Sequence, residues 1–88
     1  MEPVLVYPII YVLKLENEKY YVGITTNLNY RIAQHLNGSG SNWTSLHKPI
    51  SIVETIFNAA RTMENEVTKR YMEQYGKDNV RGGSWNKV

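Results

Sequence analysis

Tyr11, Tyr21 and Arg31 stand at equal ten-residue steps in an 88-residue chain, His35 follows Arg31 by four, and Glu64 lies in a later amphipathic stretch. Two phenols, a guanidinium, an imidazole and a carboxylate form a set able to act on a phosphodiester. Displacement at phosphorus needs a water that is positioned and deprotonated, an offset for the phosphate charge, and stabilisation of the leaving oxygen. An arginine and one divalent metal on a carboxylate can supply the last two, and phenols and an imidazole can carry the proton. A free tyrosine has a pKa of about 10, so a tyrosine base at neutral pH needs a nearby cation or metal to favour its phenolate. Taken singly, each residue also has a plainer reading as a core ring, a solvated helix face or an exposed ion pair.

The elements that must hold these groups can be read from the pattern. Residues 9–15, IIYVLKL, and 20–25, YYVGIT, are rich in β-branched and aromatic side chains, are separated by polar ENEK, and predict a hairpin. Neither strand alternates cleanly, so both faces of the sheet should be covered. Partners across a ladder share a face, so Tyr11 and Tyr21 share one only if the connecting loop has an odd number of residues. With NEK as the loop, Tyr21 pairs with Leu15; Tyr11, Leu13, Leu15, Tyr21 and Gly23 then line one face, and Tyr20 joins Val12 and Val22 on the other. A two-residue turn at Asn17-Glu18 would part the two tyrosines.

From Asn27 to Asn37, apolar residues at Leu28, Ile32, Ala33 and Leu36 predict a helix capped by Thr26 or Asn27 and stopped by Gly38. Arg31 and His35 lie one turn apart on it and can look the same way. GSGSNWTSLHKP, residues 38–49, reads as a loop. ISIVETIF, 50–57, reads as a third strand, followed by a helix from an Asn58 cap to Tyr75 with Ala60, Met63, Val67 and Tyr71 inward and Gly76 at its end. At about 100° per residue, Glu64 lies roughly 60° from the centre of that stripe and Glu66 roughly 100° away on the other side. Glu64 therefore borders the sheet, whereas Glu66 precedes Arg70 by four, the spacing of an exposed ion pair. The tail DNVRGGSWNKV reads as irregular, with RGG as a turn or a backbone nest for an anion. The expected fold is an α/β sandwich of order ββαβα, with a small three-stranded antiparallel sheet flanked by helices, in one domain spanning residues 1–88.

Composition excludes several classes. There is no cysteine, and His35 and His47 do not make a zinc spacing. The apolar run PVLVYPIIYVL is broken by Pro8, is too short to span a bilayer and follows no basic segment. A soluble intracellular protein, cytoplasmic or nuclear and not membrane-bound, is the expectation. The formal charge is +2, with ten Lys/Arg spread from Lys14 to Lys87, which permits a phosphate-rich partner without demanding one. No phosphate-binding glycine loop or hydrolase elbow is present.

At the two tyrosine motifs the sequence resembles the GIY-YIG endonucleases. IIY at 9–11 stands where the family has GIY, with Ile9 in place of the glycine, and YVG at 21–23 where it has YIG. GITTNLNYRIAQH, 23–35, is similar to the family's continuation through its arginine and histidine, the 38–49 loop is similar to that of small stand-alone members, and Glu64 falls at the metal-binding glutamate. The resemblance implies a hydrolase, an endonuclease that cuts nucleic acid, DNA rather than RNA, with Mg²⁺ or Mn²⁺ on Glu64. It implies Tyr11 as base or water-orienting group, Tyr21 as second phenol, Arg31 as phosphate clamp, and His35 as proton carrier or phosphate ligand. Gly23, Trp43, Lys48 and Asn86 are secondary substrate-binding candidates; Asn86 is the best match to a family asparagine, and Trp43 is either a loop anchor or a ring that stacks on a base. The alternatives are an inactive nucleic-acid-binding module of the same fold and a structural domain. Specific nucleic-acid complexes commonly bury on the order of 1,000 Å² or more of protein. So small a chain should therefore bind weakly and salt-sensitively as a monomer, or act as a homodimer or with a targeting partner.

Overall fold

The computed structural model describes residues 7–88, so the start of the apolar run, residues 3–6, lies outside the described residues. Two strands, β1 (Ile9–Leu15) and β2 (Lys19–Thr25), form the hairpin. Its loop is the three residues Glu16–Glu18, in a 3-10 turn, with Asn17 and Glu18 at φ 64° and 60°. The expected odd-numbered loop is thus present but begins one residue earlier than NEK. As a result Tyr21 faces Leu13 and Leu15 faces Lys19, a register two residues from the expected one. A slip of two preserves parity, so the face assignments stand. Ile10, Val12, Tyr20 and Val22 pack on one side of the sheet, and Tyr11, Leu13 and Leu15 on the other.

Helix α1 (Leu28–Leu36) begins where the Asn27 side chain accepts the Tyr30 amide, and ends before Gly38 at φ 87°. Its inward face is not the apolar stripe of the sequence. Leu28 and Ile32 do pack on the Tyr11 side, but Leu36 is exposed and His35 takes the buried position one turn after Ile32. The 38–49 segment is not all loop: Ser41 caps a short helix, α2 (Asn42–Leu46), by accepting the Thr44 amide at 3.1 Å. That helix buries Trp43, whose Nε1–H donates to the Tyr20 carbonyl at 2.9 Å.

β3 (Pro49–Ile56) pairs antiparallel with β1 at the sheet edge, bulged at Val53 and Ile50. Helix α3 (Met63–Tyr75) starts later than an Asn58 cap implies, because Asn58 sits at φ 54° and the non-helical segment 58–62 ends in a turn at 61–62. That segment exposes Ala60 and buries Ala59 beside Val67 and Tyr71. The tail is more ordered than its composition suggests. A 3-10 turn at Lys77–Asn79 leads into β4 (Val80–Gly82), which runs parallel to β2. The sheet therefore has four strands, in the order β3-β1-β2-β4, and is mixed rather than purely antiparallel. α3 covers one face, α1 and α2 the other, and the central strands are buried on both sides. Burying each large aliphatic side chain of β1 stabilises the fold by about 1.5–3 kcal/mol, which makes this hairpin the stiffest place on which to mount a site. None of the helices among the described residues is long and apolar enough to cross a membrane.

Candidate active site

The site grows from the face on which β1 puts Tyr11 opposite Gly23 of β2. Glycine is required there by close approach. A Cβ at residue 23 would lie 2.8 Å from Tyr11 Cε1 and nearer still to Cζ and the hydroxyl, so the phenol occupies the space a side chain would fill. Threaded across β2 in this way, the Tyr11 hydroxyl meets His35 Nε2 of α1 at 2.7 Å. The imidazole is fixed from the far side by Thr44 Oγ1, 2.8 Å from Nδ1. Gly40 completes the fit, since a Cβ there would come within 2.9 Å of the His35 Cα and collide with the ring. Tyr11 is 0% exposed and His35 1%. Thr44 Oγ1 donates to the Ser41 carbonyl at 3.3 Å. With its single proton placed there, the hydroxyl accepts from Nδ1–H, and Nε2 holds the lone pair that receives the Tyr11 proton.

Tyr21 lies on the same face, half-buried, its ring centroid 6.3 Å from that of Tyr11 and 4.9 Å from that of His35. Arg31 is close enough to both phenols to pull their pKa values down, and its Nη1 donates to Gln34 Oε1 at 2.9 Å. Burial nonetheless prevails. It pushes the Tyr11 phenol well above its ordinary value, with Tyr21 adding to the rise, and it raises Tyr21 as well. His35 moves the opposite way, down to about 4, chiefly through burial and then through the Arg31 charge. At neutral pH the pair therefore rests as a neutral phenol donating to a neutral imidazole.

Glu64 stands in the first turn of α3, half-buried, and its charge acts on both phenols. Burial raises its pKa, opposed by the nearby Gly83 backbone amide and by the Arg61 charge. Glu66 is exposed. The pair with Arg70 that its spacing suggested does not form, because Arg70 instead bridges to Glu54 of β3 at 2.7 Å.

Tyr11, Tyr21, Arg31, His35, Glu64 and Gly23 are thus brought together. Of the secondary candidates only Gly23 joins them; Trp43, Lys48 and Asn86 do not. Trp43 is buried as an anchor, with the Arg81 guanidinium over its ring at 4.6 Å, so its faces are not open to a base. Lys48 sits by the hairpin loop, where its carbonyl accepts the Glu16 amide, and Asn86 is exposed on the tail beyond β4. His35 does not present a nitrogen to a phosphate here, since it is 1% exposed and both ring nitrogens are hydrogen-bonded, to Tyr11 and to Thr44. Sequence reasoning missed Ser41, Thr44 and Gly40, which hold His35, and Arg81, which pairs with Tyr21 across β2 and β4. The available signal was the Ser-x-x-Thr spacing of a helix cap inside a glycine-rich segment.

Two outcomes follow from this packing. Gly23→Ala should destabilise the protein by about 1–3 kcal/mol, the usual cost of overpacking, read as a lower denaturant midpoint; an unchanged midpoint would mean that the phenol does not cross residue 23. Buried neutral, His35 binds its proton less readily in the folded than in the unfolded chain, whose histidine titrates near 6.5. Stability from this group is complete above that pH and is lost as pH falls from about 6.5 toward about 4. The loss amounts to roughly 3 kcal/mol. The difference between native protein and His35→Gln in denaturant melts across that window should show this slope, and parallel curves would refute it.

The geometry agrees with comparisons of the sequence. The family described as the GIY-YIG catalytic domain matches residues 7–81. A UPF0213 protein of Staphylococcus epidermidis is 30% identical over 64 residues, covering 73% of this chain and 74% of its own. A UPF0213 protein of Autographa californica nuclear polyhedrosis virus, from the VLF1-GP41 intergenic region, is 38% identical over 73 residues, covering 77% and 69%. No solved structure matches the chain. With the family's domain spanning nearly all the described residues and both tyrosine motifs, the chain belongs to the GIY-YIG family and carries its nuclease-type fold.

Proposed function

We propose that the protein is a metal-dependent endonuclease that hydrolyses phosphodiester bonds in DNA. The observation that carries the reading is the 2.7 Å contact from Tyr11 to His35, with Arg31 and Glu64 both acting electrostatically on the phenol pair. In this reading a water admitted with the substrate is deprotonated at the Tyr11 oxygen as the phenol proton passes to His35 Nε2. Two protons shift, the net transfer is one from water to imidazole, and it returns through Tyr11 to the leaving oxygen or to solvent. Tyr21, the more accessible phenol, orients that water. Arg31 leaves Gln34 to clamp the scissile phosphate, whose negative charge its fixed fork matches.

The donor set suits Mg²⁺ or Mn²⁺ of the kind that keeps several waters and is held by one carboxylate together with substrate phosphate. Among the described residues there is no cluster of three His, Cys, Asp or Glu, and Glu64 is a hard oxygen ligand whose buried charge a cation would relieve. When bound, the ion supplies stabilisation of the leaving oxygen and helps to favour the phenolate. Glu64 would hold it, beside the Gly83 backbone amide and Arg61, which both favour its ionised form.

The test is cleavage of supercoiled, branched and single-stranded DNA, and of RNA, with Mg²⁺ or Mn²⁺, native protein beside Glu64→Ala. Loss of about 100-fold or more with an unchanged fold is expected, the scale for removing one preorganised electrostatic element. Full activity of Glu64→Ala would sink the metal assignment, and binding without cleavage by the native chain would replace the enzyme with a nucleic-acid-binding module.

A further inference from the structure

Beyond the site, the free edge of β4 carries a cleft of about 240 Å³, whose lining includes Met72, Lys77, Asp78, Arg81, Trp85 and Lys87. A shallower hollow also reaches Trp85 and adds Lys69 and Glu73. Four cations thus face two carboxylates around one half-buried indole. That surplus equals the formal charge of +2 of the whole chain, so the modest basicity of the sequence is concentrated here. Lys69 Nζ lies 5.8 Å from the Trp85 ring centroid, and Met72 gives the cleft an apolar wall.

We infer that this cleft binds unpaired nucleotides of a nucleic-acid strand that continues from the active site. The inference rests on the nucleic-acid reading above and adds where the strand goes. A flat indole beside a thioether suits a base, lysines flanking it suit the phosphates on either side, and this combination grips single strands with little regard to sequence. In a duplex the base faces are already stacked on one another, so the indole selects unpaired strand. Continuity with the site is built in at two points. Arg81 pairs with Tyr21 across β2 and β4 and shares its face of the sheet. Gly83, whose backbone amide acts on the charge of Glu64, is followed directly by Ser84, another residue of the cleft wall. Arg81 itself is fixed to the carbonyls of Lys77 and Val80, at 3.0 and 2.8 Å, and lines the cleft while its guanidinium lies over the ring of Trp43, which packs with Tyr11. The tail that carries Trp85 is pinned by paired hydrogen bonds between Gly82 and Trp85 and by Asn65, which accepts the Ser84 amide.

The test uses the full chain with Glu64→Ala, so that the probe survives, and no divalent cation. Anisotropy of a labelled oligothymidylate is compared with that of a labelled duplex. Adding Trp85→Leu should weaken single-strand binding by about tenfold, the scale of one stacking contact, and leave duplex binding unchanged. Lys77→Glu with Lys87→Glu should weaken it and flatten its salt dependence. Unchanged single-strand affinity in Trp85→Leu, or an equal loss on duplex, overturns the inference. Should Trp85→Leu fail to fold, the exposed lysine pair decides, and unchanged affinity there also overturns it. Cleavage by native protein with Trp85-independent binding removes this inference alone; Trp85-dependent binding without cleavage keeps it and removes the nuclease reading.

Discussion

The structure turns on one hydrogen bond, from the Tyr11 phenol to His35 Nε2, made in a layer from which water is excluded. A buried hydroxyl or imidazole left unpaired costs about 1–3 kcal/mol, so once each has been buried the other must be in place. That single requirement accounts for much around it. Gly23 and Gly40 carry no side chain because the phenol and the imidazole need their space, and Thr44 and Ser41 close the other end of the network. Helix α1 turns His35 inward at the cost of exposing Leu36. An isolated apolar leucine in solvent is an ordinary feature of protein surfaces, whereas an unpaired Tyr11 would not be.

The same burial sets the chemistry. In water a phenol near pKa 10 and an imidazole near 6.5 are about 3.5 units apart. Here burial moves them further apart, the phenol up and the imidazole down to about 4. The resting pair is therefore firmly neutral, and proton transfer within it waits on further charge at the phenol. Arg31 already stands close enough to oppose the rise, and among the described residues Glu64 is the carboxylate that acts on both rings. On the proposed reading, desolvation would hold the pair neutral until a cation and a phosphate arrive, which would couple chemistry to substrate binding.

Much of this was legible in the sequence, because the decisive quantity was parity rather than register. Any odd hairpin loop puts Tyr11 and Tyr21 on one face, and the observed slip of two residues, allowed by the positive φ of Asn17 and Glu18, changes every pair without moving a single side chain to the other face. Helical phase likewise separated Glu64 from Glu66. What could not be read were features created by tertiary context. α2 is only five residues long and begins amid glycine and serine; β4 is three residues long and exists because β2 offers it an edge. The inward turn of His35 contradicts the apolar stripe because a hydrogen-bonding partner, not hydrophobicity, assigns it that position. Tyr20, a strand filler by its pattern, does fill the core, stacked on Tyr75 at 4.1 Å between centroids.

The central claim is that the proton leaves the attacking water through the buried phenol and imidazole. Its most direct measurement is the single-turnover cleavage rate of Tyr11→Phe, which keeps the ring and its packing and removes only the hydroxyl. The account predicts a fall of at least about 100-fold, the scale of one general base, in a protein that still folds but is less stable by the roughly 1–3 kcal/mol that the unpaired imidazole costs. A rate within a few-fold of the native protein would contradict it and leave the pair with a structural role alone.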